Sequence, residues 1–274
     1  MGGSESCATP GASARPGNRD DRYLRGALRG WQCFSLRSLR TALRLRAGKK
    51  GLARRRAAKR HADQQRFASE MWRRDGALAH RDYASYDEYV EHQSSKLAGI
   101  IDRLREKDAE EFEEFRERFA SCDALVDAGS ILCLGARLGT EVRALHSLGH
   151  FAVGIDLAPG PDNPRVLHGD FHALVFPNGS VDAVYSNALD HAFDLDRMLS
   201  EVRRILRPGG CFVAEIFDGF DEGSFPGNFE ALWWASAQTL TAKIAKVGGF
   251  EIEQDRAHGS GRRVRRLVAF RKPR

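Results

Sequence analysis

A chain of 274 residues with 42% hydrophobic content can bury a sizeable core, and its length fits one domain of roughly 200 residues plus an appendage. The net charge of +6 is unevenly spread: residues 1–60 hold 16 Lys or Arg against Glu5, Asp20 and Asp21, a local +13, so the remainder carries −7. No run approaches about 18 consecutive apolar residues and no apolar stretch precedes a small-residue cleavage site, which argues against a membrane span and a secretory signal.

Five cysteines without a C-x-x-C pair indicate reduced thiols in a cytoplasmic setting, and the scattered histidines lack the spacing of metal ligands. No metal site is expected.

Residues 1 to about 20 are rich in Gly, Ser, Ala and Pro and nearly free of bulky apolar groups, so burial would not compensate the entropy of ordering them. From Arg22 to His61, Leu24, Leu28, Trp31, Leu39 and Leu43 recur at helical spacing among arginines. This basic amphipathic pattern, interrupted by Ser35, suits a solvated extension, an anionic membrane surface, nucleic acid or an organelle transit peptide. Residues 1–61 are therefore taken as a basic arm.

Residues 62–124 read as a helical cap, with Ile101, Leu104, Phe112, Phe115 and Phe119 on one face and a solvated charged face opposite. An aromatic patch, Trp72, Tyr83, Tyr86 and Tyr89, either packs the cap or covers a pocket.

Beyond residue 125 the pattern changes to short apolar runs alternating with helical segments: SILCLG, EVRALHSLG, FAVGIDL, SVDAVYSN, DLDRMLSEVRRIL and GCFVAEIF. Such alternation predicts an α/β fold over 125–274, a Rossmann-like, doubly wound and mainly parallel sheet. FEIEQDR and RRLVAFRKP add a C-terminal antiparallel hairpin, and the segment with Trp233 and Trp234 reads as a helix whose side chains, with Phe225, either reach an acceptor or fill the helix–sheet interface.

Ile131 to Gly135, followed by Ala136-Arg137-Leu138-Gly139-Thr140, reads as a buried strand turning tightly into a helix, with glycines where backbone must approach a ligand. The next strand ends in Asp156, 17 positions after Gly139, where a nucleotide-binding α/β unit places a carboxylate for the ribose hydroxyls. Together these features are far more specific than either alone.

With ILCLGARLGTE, GIDL, HGDFHALVFPNGSVDAVYSN and LSEVRRILRPGG in this order, the sequence resembles the class I S-adenosylmethionine-dependent methyltransferase superfamily, in its small-domain, type 11-like form, over about residues 125–216. The resemblance implies S-adenosylmethionine as cofactor. It places Gly135 and Gly139 beside the methionine part, with Ala136 and Arg137 in the same turn. Asp156 falls at the ribose, Asp170 and Phe171 at the adenine, and Asn187 near the reacting methyl, with Leu157 also among the cofactor-binding residues. Pro208-Gly209-Gly210 resembles the turn before strand five.

Two residues depart from the family pattern, Cys133 where an acid is usual and Arg137 where the middle glycine is usual, so Glu141 or another carboxylate would have to substitute. Methyl transfer needs mainly alignment, with a base where the acceptor is a hydroxyl. His191, with Asp190 adjacent, is the candidate for that base, because neutral imidazole titrates near working pH. His168 and His172 read as packing or loop residues.

The sequence thus reads as a methyltransferase for a small-molecule or glycan acceptor, cytoplasmic or peripheral to a membrane through its arm. An RNA methyltransferase gripping phosphates with the arm fits less well, because the remaining chain is net acidic and holds no recognised RNA-binding module. The third reading is a cofactor-binding protein without turnover.

Overall fold

The apolar runs after residue 130 become strands because each is short, rich in β-branched or aromatic residues and bounded by Gly, Asn or Asp. The computed structural model describes residues 51–258 and 265–274, apart from 53, 56 and 70. The apolar stripe Leu24 to Leu43 of the arm and the Gly- and Arg-rich turn at 259–264 lie outside the described residues. Lys59–Arg274 make one unit.

Its main sheet is built from β3 (Ser130–Leu134), β4 (Phe151–Asp156), β5 (Val166–His168), β6 (Val181–Ser186), β7 (Leu206–Phe217), β9 (Glu251–His258) and β10 (Arg265–Arg271), in the order β5-β4-β3-β6-β7-β10-β9. The first five are parallel, and β10 pairs antiparallel with both β7 and β9. This is the expected α/β architecture with its C-terminal hairpin. Pro208-Gly209-Gly210 forms part of β7, at a register irregularity against β6, because Gly210 sits where a side chain would strike the Asp182 carbonyl at 2.8 Å.

Both faces of the sheet are covered. On one face α3 (Leu195–Ile205) and α4 (Ala237–Gly248) bury Leu199, Val202, Leu240 and Ile244 against Val184, Phe212 and Phe270. On the other, α2 (Thr140–Ser147) and the end of the long α1 (Tyr86–Ala120) bury Val142, Leu145, Phe115 and Phe119 against Ile131, Tyr185 and Val213. α1 starts where Ser85 Oγ accepts the Glu88 amide at 3.2 Å while Glu88 reaches back to the Ala84 amide at 2.6 Å.

Two expected helices are strands instead. Within residues 62–120, β1 (Trp72–Asp75) and β2 (Leu78–Arg81) form a hairpin around Gly76-Ala77, with Gly76 at φ 57°, a conformation that glycine adopts without strain. Trp233 and Trp234 lie in β8 (Leu232–Trp234), which pairs with β2 to complete a small three-stranded sheet. The tryptophans stack at 5.0 Å and bond the Ser224 and Phe217 carbonyls, and Trp233 packs with Phe67 and Trp72. They are core residues, and the partly buried Phe225 packs against Phe67 at the edge of that cluster.

α1 is fastened to the sheet by a buried charge. The fully buried Glu215 carboxylate on β7 accepts from Arg118 of α1, from Tyr185 at 2.5 Å and from Arg265 of β10 at 3.0 Å. Burial alone would raise its pKa, but Arg118 and Arg265 outweigh that and hold it below the ordinary glutamate value. Removing one partner of such a cluster strands the others. Glu215→Ala is therefore expected to cost about 3–5 kcal/mol in urea unfolding, against less than about 1 kcal/mol for the exposed pair partner Glu113→Ala.

Candidate active site

Parallel strands β4, β3 and β6 end side by side, and their C-terminal edge is where an open α/β sheet presents loops to a ligand. A half-open cleft lies there. Gly135, Arg137, Asp156, Leu157, Ala158, Phe171, Ala188 and His191 line it from the sheet loops, and Tyr89, Gln93, Lys96 and Leu97 line it from α1.

The turn after β3 is set by steric and hydrogen-bond constraints together. Gly135 has φ 75°, and a Cβ there would stand 2.6 Å from the Ala188 Cβ, so only glycine fits. The amides of Gly135 and Ala136 both donate to the Ile155 carbonyl, at 2.9 and 3.0 Å. Asp156 then receives the Arg137 amide at 3.0 Å on one carboxylate oxygen and the Ala158 amide at 2.8 Å on the other. Each oxygen keeps a lone pair for a ligand hydroxyl.

Of the residues singled out from sequence, Gly135, Arg137, Asp156, Leu157, Phe171 and His191 meet at this cleft. Ala136 is buried behind the turn, and Gly139, at φ 70°, caps α2 with Val166 and Asn163 around it. Asn187 is half-buried and not among the lining residues, whereas its neighbour Ala188 is.

Asp170 is also outside the lining: it accepts from the Tyr86 hydroxyl and from the backbone and ring nitrogens of His172, both at 2.8 Å. Burial opposes its charge, but these bonds prevail and bring its pKa down to about 2.

Glu141 does not replace the missing acid in the cleft. It is buried in the first turn of α2 behind Cys133, and burial raises its pKa to about 8, so its carboxyl is neutral at pH 7.

At the β6 end, His191 is buried. A carbonyl can only accept, so the 3.0 Å contact with Phe229 O fixes the proton on Nδ1. Nε2 then offers its lone pair to Lys96 Nζ at 2.6 Å and Arg137 Nη2 at 3.4 Å. Burial, then these two cations, push the imidazole pKa well below its ordinary value. Asp190 Oδ2 lies 3.8 Å from Nε2 and Oδ1 has no partner, so Asp190 does not orient the ring as the acid of a catalytic dyad would. Among the described residues no group of His, Cys, Asp and Glu is arranged to hold a metal ion, and no helix is long and apolar enough to cross a membrane.

Residues 132–214, which supply the β3 turn, Asp156, Phe171 and the His191 loop, match the family described as a methyltransferase domain. The segment is a methyltransferase domain by its match to that family. The domain is 40% identical over 67 residues to a sterol 24-C-methyltransferase of Gibberella zeae, covering 22% of this chain and 18% of that protein. A probable S-adenosylmethionine-dependent methyltransferase of Mycolicibacterium smegmatis is 33% identical over 109 residues, covering 36% and 41%. The matches thus span less than half the length of these relatives.

The fold of the methyltransferase domain is shared with Burkholderia thailandensis 1,6-didemethyltoxoflavin-N1-methyltransferase, solved with 1,6-didemethyltoxoflavin and S-adenosylhomocysteine bound. The TM-score is 0.57 at 16% identity, over 74% of this chain and 99% of that one. A possible histamine N-methyltransferase of Thermotoga maritima gives 0.51 at 16%, over 67% and 99%.

Lys96, Gln93 and Tyr89 escaped the sequence reading as site residues, although Tyr89 belonged to the aromatic patch. Lys96 carries no signal in a helix crowded with charges. Arg137, by contrast, stands out twice, as the family departure and, among the described residues, as one of two non-glycine residues with positive φ, at 43°. Left-handed backbone costs a side-chain-bearing residue about 1–2 kcal/mol, so Arg137→Gly is expected to raise stability by about 1 kcal/mol in thermal unfolding. The His191 ring is expected to stay neutral down to pH 6 by NMR of its ring nitrogens, where an ordinary histidine would be mostly protonated.

Proposed function

We propose that the chain is an S-adenosylmethionine-dependent methyltransferase acting on a small-molecule acceptor. The observation that carries this reading is the cleft along the sheet edge of the methyltransferase domain, with its side-chain-free Gly135 and the Asp156 carboxylate.

The residues fit the cofactor. Asp156 would take the ribose hydroxyls, Leu157 and Phe171 would flank the adenine, and Gly135 would leave room for the methionyl chain. When bound, the sulfonium supplies an already activated methyl group. The chain's own work is then to hold the acceptor in line and to exclude water. α1 forms the far wall: Tyr89 donates to the His191 carbonyl at 2.9 Å and Gln93 to the Phe229 carbonyl at 2.7 Å, which fixes the loops around the β6 end. His191 Nε2 is the nearest base for an acceptor atom that must lose a proton, but its lone pair faces Lys96 and Arg137 and its lowered pKa makes it a weak one.

Calorimetric titration with S-adenosylhomocysteine tests the reading. Wild-type protein is expected to bind with micromolar affinity, and Asp156→Ala to bind at least about tenfold more weakly, the equivalent of roughly 1.4 kcal/mol. Equal binding by both would place the nucleoside elsewhere, and no binding by wild-type protein would overturn the reading.

A further inference from the structure

The cleft is electrically lopsided. At the β4 end stands the Asp156 carboxylate, whereas at the β6 end Lys96 and Arg137 both reach His191 Nε2, which brings the two cations within about 6 Å of each other. Among the described residues neither makes an ion pair within 4 Å, and the carboxylates that bear on Lys96, those of Asp190, Glu230 and Asp156, all lie beyond that distance. Their only shared acceptor is a neutral imidazole. Lys96 further rests over the Phe229 ring at 5.6 Å.

β3 lies between β4 and β6, so the two ends are two strand spacings apart, roughly 10 Å. With the nucleoside at Asp156 and the methionyl chain over Gly135, the cationic end is where the transferred methyl must meet its acceptor. This step rests on the methyltransferase reading. Holding two like charges together in a partly dry cleft is unfavourable unless an anion joins them, and Lys and Arg together suit a carboxylate or phosphate oxygen pair.

We propose that Lys96 and Arg137 form an oxyanion-binding site at the acceptor end of the cleft, so that the enzyme methylates a small molecule bearing a carboxylate or phosphate group. His191 Nε2 lies between the two donors and orients them. The cause of the family departure at residue 137 is then chemical: a strained left-handed arginine is kept because its side chain completes the anion site.

The Lys96 pKa is lowered to about 8, first by burial and then by Arg137, against the opposing pull of Asp190, Glu230 and Asp156. Anion binding should therefore be full below pH 8 and weaken as pH rises through it.

The test uses the full chain saturated with S-adenosylhomocysteine and titrated with benzoate, inorganic phosphate and the neutral isostere benzamide. Benzoate or phosphate should bind at least about tenfold more tightly than benzamide, and Lys96→Met and Arg137→Gly should each remove that preference. Lys96→Arg should restore it, and wild-type anion affinity should fall above pH 8. S-adenosylhomocysteine affinity should stay within about threefold in Lys96→Met and Lys96→Arg.

Equal binding of benzoate and benzamide by the saturated protein would overturn the proposal and leave the methyltransferase reading intact. A fall in S-adenosylhomocysteine affinity in both charge-removing variants, with affinity for 5′-methylthioadenosine unchanged, would assign the pair to the cofactor's own carboxylate and also overturn it. Failure of wild-type protein to bind S-adenosylhomocysteine is a separate result that removes the methyltransferase reading itself.

Discussion

The site depends on one close approach, that of the β3 turn to the loop after β6, where the Ala188 methyl fills the space a side chain at residue 135 would need. Because the backbone there must be left-handed and bare, the chain leaves β3 in one direction only. Asp156 then locks that direction by accepting the Arg137 amide. The same carboxylate is thus both the brace of the turn and part of the cleft wall, where a ribose is proposed. A substitution at Asp156 would act on both, which is why its effect belongs on a binding curve and a stability curve together.

The locked turn sends Arg137 across the cleft toward His191, and α1 brings Lys96 to the same nitrogen from the opposite wall. α1 holds its place through groups far from the cleft: Glu215 gathers Arg118 at one end, and Asp108 accepts from Thr140 at 2.7 Å, with Arg143 of α2 beside it. At its other end, Tyr86 and His172 enclose Asp170. Sheet loops therefore line one wall of the cleft, and α1 lines the other with Tyr89, Gln93, Lys96 and Leu97. The curated relatives share only part of their length with this chain, and α1 lies outside the segment that matches the methyltransferase-domain family.

Much of the sheet was legible because its strands are read by composition and by their alternation with helices. SILCLG, FAVGID and VDAVYS are apolar on both faces, as strands covered on both sides must be. Gly135 and Asp156 were legible because a turn and a carboxylate at fixed spacing follow from the βαβ unit itself. The hairpin at residues 72–81 was not. Three of the four residues of β1 are exposed, so WRRD carries no alternating apolar face, and its only sequence mark is Asp75-Gly76.

β8 was read as helix because three residues cannot show a period, and its strand pairing is with residues more than 150 positions away. Asp170 shows the limit from another side. The family resemblance set it at the adenine, but the hydrogen bond that holds it comes from Tyr86, 84 positions upstream, and no local pattern records that contact. Lys96 was invisible for a like reason: its chemistry comes from burial against Arg137 and His191, a property of the folded arrangement and not of the helix that bears it.

The most direct test of the account is a crystal structure with S-adenosylhomocysteine bound. The account predicts ribose hydroxyls on Asp156, adenine beside Phe171 and Leu157, and the sulfur near Gly135 facing Lys96 and His191. A ligand bound outside this cleft, or one lying in it with the adenosine at the Lys96 end, would contradict it.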